Sequence, residues 1–152
     1  MLLADLLVEG RVKVPLAAGT KDEVFRELVQ LVAADMAPGA ADPILAAVRD
    51  REREMTTGFG AGVAIPHGRT PVVDELGIAA GVTRSPIDYG AIDGEPVRIV
   101  FLLVGPETAA GAHVRTLARI ARLVRRPEVR DALLEAPSTA EFVRVIRQAE
   151  AA

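Results

Sequence analysis

His67 is the residue of this chain best placed to do chemistry. It stands in the run Thr56-Thr57-Gly58-Phe59-Gly60-Ala61-Gly62-Val63-Ala64-Ile65-Pro66-His67-Gly68-Arg69, behind three glycines in five positions and a short apolar segment. Pro66 cannot donate to a sheet ladder and fixes its own φ, which predicts a strand that stops there and leaves His67 at its mouth. Gly68 removes side-chain bulk beside the imidazole and lets a ligand approach the backbone.

An imidazole in such a place can serve as metal ligand, general base or nucleophile. The chain holds two histidines, His67 and His113, and no cysteine. A zinc site would need carboxylates to complete it, and no HExxH-like spacing supplies them, so no metal is expected. No Gly-x-Ser-x-Gly turn offers a serine nucleophile. The glycine run leads into a strand-like segment instead of a helix and lacks a Gly-Lys-Ser/Thr ending, which argues against a nucleotide cradle. No cofactor is expected.

The remaining role is covalent: a neutral imidazole nitrogen attacks a phosphoryl group and becomes phosphohistidine. Such a group spreads its charge over its oxygens and needs positioned donors. Arg51, Arg53 and Arg69 offer charge-assisted hydrogen bonds, and the backbone around Gly68 offers amides. His113, at the start of a helix after the strongest strand, could approach His67 and share its protons. One nitrogen of His67 must be held as N–H by an acceptor so that the other stays free, and sequence does not name which.

Plainer readings compete with these. A lone histidine is more often a surface or satisfied core residue, and His113 taken alone suits that reading. Arg51 and Arg53, at the end of a helix, complement its dipole. Arg115, Arg119, Arg122 and Arg126 recur at three or four residues and fit a solvated helix face, with a docking surface as the alternative. Met55 reads as packing.

The elements that must position His67 follow from local punctuation. Leu2 to Leu7 forms one helical turn or two, and Arg11 to Val14 alternates like a short strand ending at Pro15. Thr20 with Glu23 is a capping box, and Val24, Leu28, Leu31 and Val32 recur at helical spacing, predicting a helix from Lys21 to about Asp35. Asp42 as N-cap with Pro43 at the first helical position starts a second helix to about Glu54, which delivers Arg49, Arg51 and Arg53 to the glycine run. Leu76 to Thr83 reads as a strand packed closely under helices, interrupted by Pro86. Val97 to Val104 is a nearly continuous apolar run and predicts a central strand. Ala112 to Arg125 is a helix with Val114, Leu117, Ala121 and Val124 on one side. Pro127 and the Ser138–Glu141 box start two more, about Glu128 to Glu135 and Thr139 to Gln148.

Bulk properties bound the rest. The 152 residues fit one domain, and a hydrophobic fraction of 50% with mean hydropathy +0.26 excludes a disordered tail. Aromatic residues make up 3%, so the core must be aliphatic. A net charge of −3 and a pI near 5.4 give no basic footprint for nucleic acid. The amino end lacks a secretory signal pattern, and Ile99 to Val104 is far too short to span a membrane, so a cytoplasmic protein is expected. Helices alternating with strands predict a single-domain α/β sandwich, with a mixed central sheet of four or five strands flanked by helices. The short Thr83 to Pro96 connection leaves room for an antiparallel pair.

The signature from Thr56 to Arg69 resembles that of the IIA domains of the bacterial phosphoenolpyruvate-dependent phosphotransferase system, of the fructose, mannitol and nitrogen-related type. The likeness extends to Arg51-Glu52-Arg53, to Ile92-Asp93-Gly94-Glu95-Pro96 with the following strand, and to His113 with Leu117-Ala118-Arg119-Ile120-Ala121-Arg122-Leu123. Thr56 stands where serine is common, Phe59 where isoleucine is common, and Gly105 lies in a usual Val-Pro-Glu stretch; none removes a donor or the nucleophile. The resemblance implies one type-2 EIIA domain over residues 1–152. It implies that His67 accepts a phosphoryl group from the carrier HPr or its nitrogen-branch counterpart. His113 and Arg51 would flank that group, with Thr57 and Gly68 nearby. Onward transfer would go to a cysteine on a separate IIB protein. The rival is a regulatory IIA protein whose phosphorylation controls binding to a target protein without moving sugar.

Overall fold

Alternation along Val97–Gly105 sets the architecture. Ile99, Phe101 and Leu103 enter one buried cluster, while Val100, Leu102 and Val104 enter another on the opposite face. A strand buried on both faces must be apolar throughout, as this one is. The computed structural model describes residues 2–7 and 9–151, so the expected span 1–152 includes three residues, Met1, Val8 and Ala152, that lie outside the described ones.

In chain order the elements are α1 (Leu3–Leu6), β1 (Val12–Leu16), α2 (Lys21–Ala33), α3 (Ala41–Glu54), β2 (Gly58–Gly60), β3 (Val63–Ala64), β4 (His67–Arg69), β5 (Gly77–Ile87), β6 (Val97–Gly105), α4 (Ala110–Val124), α5 (Pro127–Glu135) and α6 (Thr139–Ala151). The sheet runs β1-β5-β6-β3-β2, with β4 also on β6. It is mixed: β5 and β6 are antiparallel, while β1–β5, β3–β6 and β4–β6 are parallel. Residues of α1, α4, α5 and α6 pack on one face, and residues of α2 and α3 pack on the other. The α/β sandwich is as expected.

Several local expectations shift. The described residues form six strands, not four or five, because the glycine run pairs as a hairpin and His67–Arg69 pairs with β6. β1 continues through Pro15, which an edge strand tolerates because no outer neighbour needs its missing N–H. β5 runs past Pro86; its ladder with β6 skips from Val82 to Ile87, and Arg84 to Pro86 are exposed. α3 begins two residues earlier than expected, after Ala40 and without a side-chain cap, so Pro43 sits in the first turn, where its N–H has no intrahelical partner to lose. The Glu23 amide takes the Thr20 hydroxyl at 3.3 Å, but the Glu23 carboxylate reaches the Gly19 amide at 3.2 Å. On α4 the core face is His113, Thr116, Ile120, Leu123 and Val124, and Val114 is 64% exposed. A histidine occupies the inward position that an apolar stripe would assign to valine. Among the described residues no helix is long and apolar enough to cross a membrane.

Candidate phosphoryl site around His67

The hairpin from Gly58 to Ala64 brings the chain back into the sheet. Gly60, Ala61 and Gly62 all have positive φ (108°, 56° and 80°), a turn that glycine makes at little steric cost. The Asp93 carboxylate holds it by accepting from the Ala61 amide at 2.9 Å. β3 and β4 share one register on β6: Ala64 opposes Val100 and His67 opposes Leu103. Between them Ile65 and Pro66 fall outside the strands, though the Pro66 carbonyl still accepts the Leu103 amide of β6 at 3.1 Å. Ile65 donates its amide to the Thr57 carbonyl at 3.0 Å, and Pro66 has no amide to give. The strand therefore does not end at Pro66, as the sequence suggests; it breaks for two residues and resumes with His67.

That break places an acceptor beside the ring. Nδ1 of His67 lies 2.9 Å from the Ile65 carbonyl oxygen. A carbonyl only accepts, so Nδ1 carries the hydrogen and Nε2 carries the free lone pair. Burial lowers the His67 pKa and the Arg51 and Arg69 cations act in the same sense, against the Ile65 carbonyl and Glu52. The ring is neutral at physiological pH.

His113 faces it from α4, with ring centroids 5.5 Å apart and planes tilted by 59°. His113 is 4% exposed, and its pKa is pushed down to about 4 by burial, then by His67 and Arg69. Its Nδ1 is sealed off with no hydrogen-bond partner among the described residues. A proton there would be an unsatisfied buried donor, so the hydrogen belongs on Nε2.

The two rings line a cleft of about 750 Å³ together with Arg51, Gly68 and Arg69, and also with the acids Asp50, Glu54 and Glu107. Arg51 Nη1 donates to the Met55 carbonyl at 2.9 Å and its Nε lies 4.0 Å from Glu54, which holds the guanidinium near the end of α3. Arg53 does not join them: it pairs with Asp50, while Arg49 pairs with Asp22 at 2.8 Å on the side of α2. Helix positions two apart diverge by about 200°, so Arg51 points away from Arg49 and Arg53. What comes close to Gly68 is α3 itself. A Cβ there would meet Ala47 C and Val48 N, each at 3.0 Å.

Thr57 is not free to meet a ligand with its hydroxyl. Glu52, whose side chain is 8% exposed, accepts both the Thr57 amide, at 2.8 Å, and the Thr57 hydroxyl. With that hydrogen given to Glu52, the Thr57 oxygen accepts from Tyr89 at 2.7 Å. Lys21 completes the group, 3.0 Å from Glu52 and 3.0 Å from the Tyr89 carbonyl. Sequence reasoning missed Glu52, Lys21 and Tyr89; the one signal available was a single tyrosine in a chain with few aromatics. Thr57 also lines a second pocket of about 250 Å³, with His67, Phe59 and Ile92. Among the described residues no group of three His, Cys, Asp or Glu could hold a metal ion.

Residues 5–149 match the family model for the phosphoenolpyruvate-dependent sugar phosphotransferase system, EIIA 2. The chain belongs to this family. This EIIA chain is 34% identical to a nitrogen regulatory protein of Pseudomonas aeruginosa, over 95% of its own length and 94% of the relative's. It is 32% identical to the fructose-specific EIIABC component of Bacillus subtilis, over 97% of its own length but only 23% of that protein. The crystal structure of the nitrogen regulatory protein IIA-Ntr from Neisseria meningitidis superposes with a TM-score of 0.88 at 30% identity, covering 95% of this EIIA chain and 98% of that one. Members of the family are phosphotransferase components.

Proposed function

We propose that this EIIA chain is a single-domain phosphoryl carrier, spanning 1–152, whose His67 Nε2 accepts a phosphoryl group from the phosphohistidine of HPr or its nitrogen-branch counterpart. One observation carries the reading: the Ile65 carbonyl holds the Nδ1 hydrogen at 2.9 Å and leaves Nε2 as the nucleophilic nitrogen of a ring that lines a cleft with Arg51 and Arg69. In the transfer the Nε2 lone pair bonds to phosphorus as the donor's N–P bond breaks, and that electron pair returns to the donor ring. The Nδ1 hydrogen stays in place throughout. Arg51 and the His113 Nε2–H supply donors to the phosphoryl oxygens, and Gly68 lets α3 sit close enough to bring Arg51 there.

Exposed apolar side chains beside the site support a protein as donor. Val114, 64% exposed, lines the cleft, and Ile92, 72% exposed, lines the second pocket beside His67, apolar surface suited to a docked macromolecule. Onward transfer to a IIB cysteine returns the lone pair to Nε2 by the same path in reverse. The reading carries with it a cytoplasmic location for the transfer.

A regulatory reading has its own support in the near full-length match to a nitrogen regulatory protein. There the phosphoryl group, about two negative charges, alters which target protein binds the same face. Incubation with Enzyme I, HPr and phosphoenolpyruvate, followed by mass analysis, is expected to find one acid-labile phosphate, absent from His67→Ala. Retained labelling in that variant overturns the assignment. Transfer of label to a IIB cysteine separates sugar uptake from regulation.

A further inference from the structure

The carboxylate of Glu52 has more donors around it than a side chain at a helix end would need for solubility. Three donors converge on its two oxygens: the Thr57 amide at 2.8 Å, the Thr57 hydroxyl and the Lys21 ammonium at 3.0 Å, while the Tyr89 oxygen lies 3.3 Å away with its hydrogen given to Thr57. Lys21 is itself held by the Tyr89 carbonyl and lies 4.3 Å over the Tyr89 ring. Burying an ion pair adds little to stability on balance, because desolvation offsets the attraction. What the group does provide is a fixed position for Thr57, tied to Glu52 at both its amide and its hydroxyl.

That position is transmitted to the nucleophile by main chain alone. The Thr57 carbonyl accepts the Ile65 amide at 3.0 Å, in the gap between β3 and β4. The Ile65 carbonyl in turn accepts the His67 Nδ1 hydrogen at 2.9 Å. Pro66 stiffens the link between the last two. We propose that Glu52 is a positioning residue for the transfer: anchored by Lys21 and Tyr89, it holds Thr57 and Ile65 so that the Ile65 carbonyl selects the Nδ1–H tautomer of His67 and aims Nε2. The inference rests on His67 being the phosphoryl acceptor.

Burial opposes the charge on Glu52, but the Thr57 hydroxyl and amide and Lys21 outweigh it and hold the carboxyl below its usual value. The three-donor cradle is therefore matched to a carboxylate. Its amide analogue in Glu52→Gln keeps the volume but replaces one acceptor oxygen with a donor that faces donors.

The test reads the tautomer directly. Protein labelled with 15N at histidine is followed by long-range proton–nitrogen correlation above the His67 titration. The wild type is expected to show a single Nδ1–H form. Glu52→Ala is expected to show both forms in exchange, and its rate of phosphoryl acceptance from phospho-HPr is expected to fall by about ten- to a hundredfold. The fall belongs to kcat, with KM for HPr unchanged, because Glu52 is buried and does not line the docking rim. Glu52→Gln serves if Glu52→Ala does not fold, with the same direction of change at a smaller size. A folded Glu52→Ala, or Glu52→Gln, with the wild-type tautomer and wild-type kcat overturns the proposal. So does a loss confined to KM. If the wild type takes up no phosphate, the carrier reading fails, while the tautomer measurement still decides whether Glu52 sets the ring.

Discussion

The rings of His67 and His113 stand 5.5 Å apart, one on β4 and the other on the inward face of α4. Both are neutral at pH 7, because burial leads both pKa values downward. A neutral pair suits the proposed transfer: one ring presents a lone pair, and the other an N–H for the incoming oxygens.

Loss of the His113 donor should slow phosphoryl transfer without removing it. His113→Ala is expected to cost about 1–3 kcal/mol in the transfer barrier or in the stability of the phosphorylated form, the usual worth of a hydrogen bond to a charged group. Rapid-quench kinetics with phospho-HPr measure the first, and the rate of spontaneous phosphate loss measures the second. Full-rate transfer and an unchanged phosphate lifetime would leave His113 a packing residue.

Phosphorylation should reverse the electrostatics around His113. Its pKa is about 4 in the free protein, but a phosphoryl group of about two negative charges on His67 favours the protonated ring. In the phosphorylated protein His113 is expected to titrate at a higher pH, read from its carbon-bound ring protons in an NMR titration. An unchanged titration would mean that the phosphoryl group lies away from it.

Stability should decline on mild acidification. In the unfolded chain a histidine titrates near 6.5, whereas folded His113 titrates near 4 and His67 is also lowered. Between those values the unfolded state binds more protons, so the contribution present above about pH 6.5 is lost as pH falls toward 4. Urea midpoints measured from pH 7 to pH 4 are expected to fall, and to fall less in His113→Leu. Equal slopes for the two proteins would contradict the burial argument.

Neighbouring arginines should behave differently. Arg51→Ala removes a cation from the cleft and is expected to slow transfer by about tenfold or more. Arg53→Ala removes an exposed ion pair with Asp50 and is expected to change stability by less than about 1 kcal/mol and transfer hardly at all. Parallel assays of the two variants check the assignment, and equal losses would refute it.

Crowding at Gly68 should be felt on both α3 and the site. In Gly68→Ala the new methyl meets backbone atoms of Ala47 and Val48 at 3.0 Å, which a flexible side chain cannot relieve. Overpacking of this kind costs about 1–3 kcal/mol, measurable by denaturant unfolding. Because α3 carries Arg51, the same variant is expected to transfer phosphate more slowly.

His67, its glycine-rich approach and the central strand were legible in the chain because their signals are local. Proline and glycine act through their own φ, and helical or two-residue periodicity needs only neighbours in sequence. The amino acid order alone thus determined an α/β sandwich with one candidate nucleophile and offered Arg51, Arg53, Arg69 and His113 as possible companions, among which only the family resemblance chose Arg51 and His113. Tertiary structure alone decided that Arg51 enters the cleft while Arg53 turns to Asp50, that His113 takes the inward place on α4, and that Gly58–Gly60 is a strand. It also brought Lys21, Glu52, Thr57 and Tyr89 together across 68 positions of chain. Which face a side chain takes, and whether a carboxylate is buried, depend on what packs against it, and residues distant in sequence supply that packing.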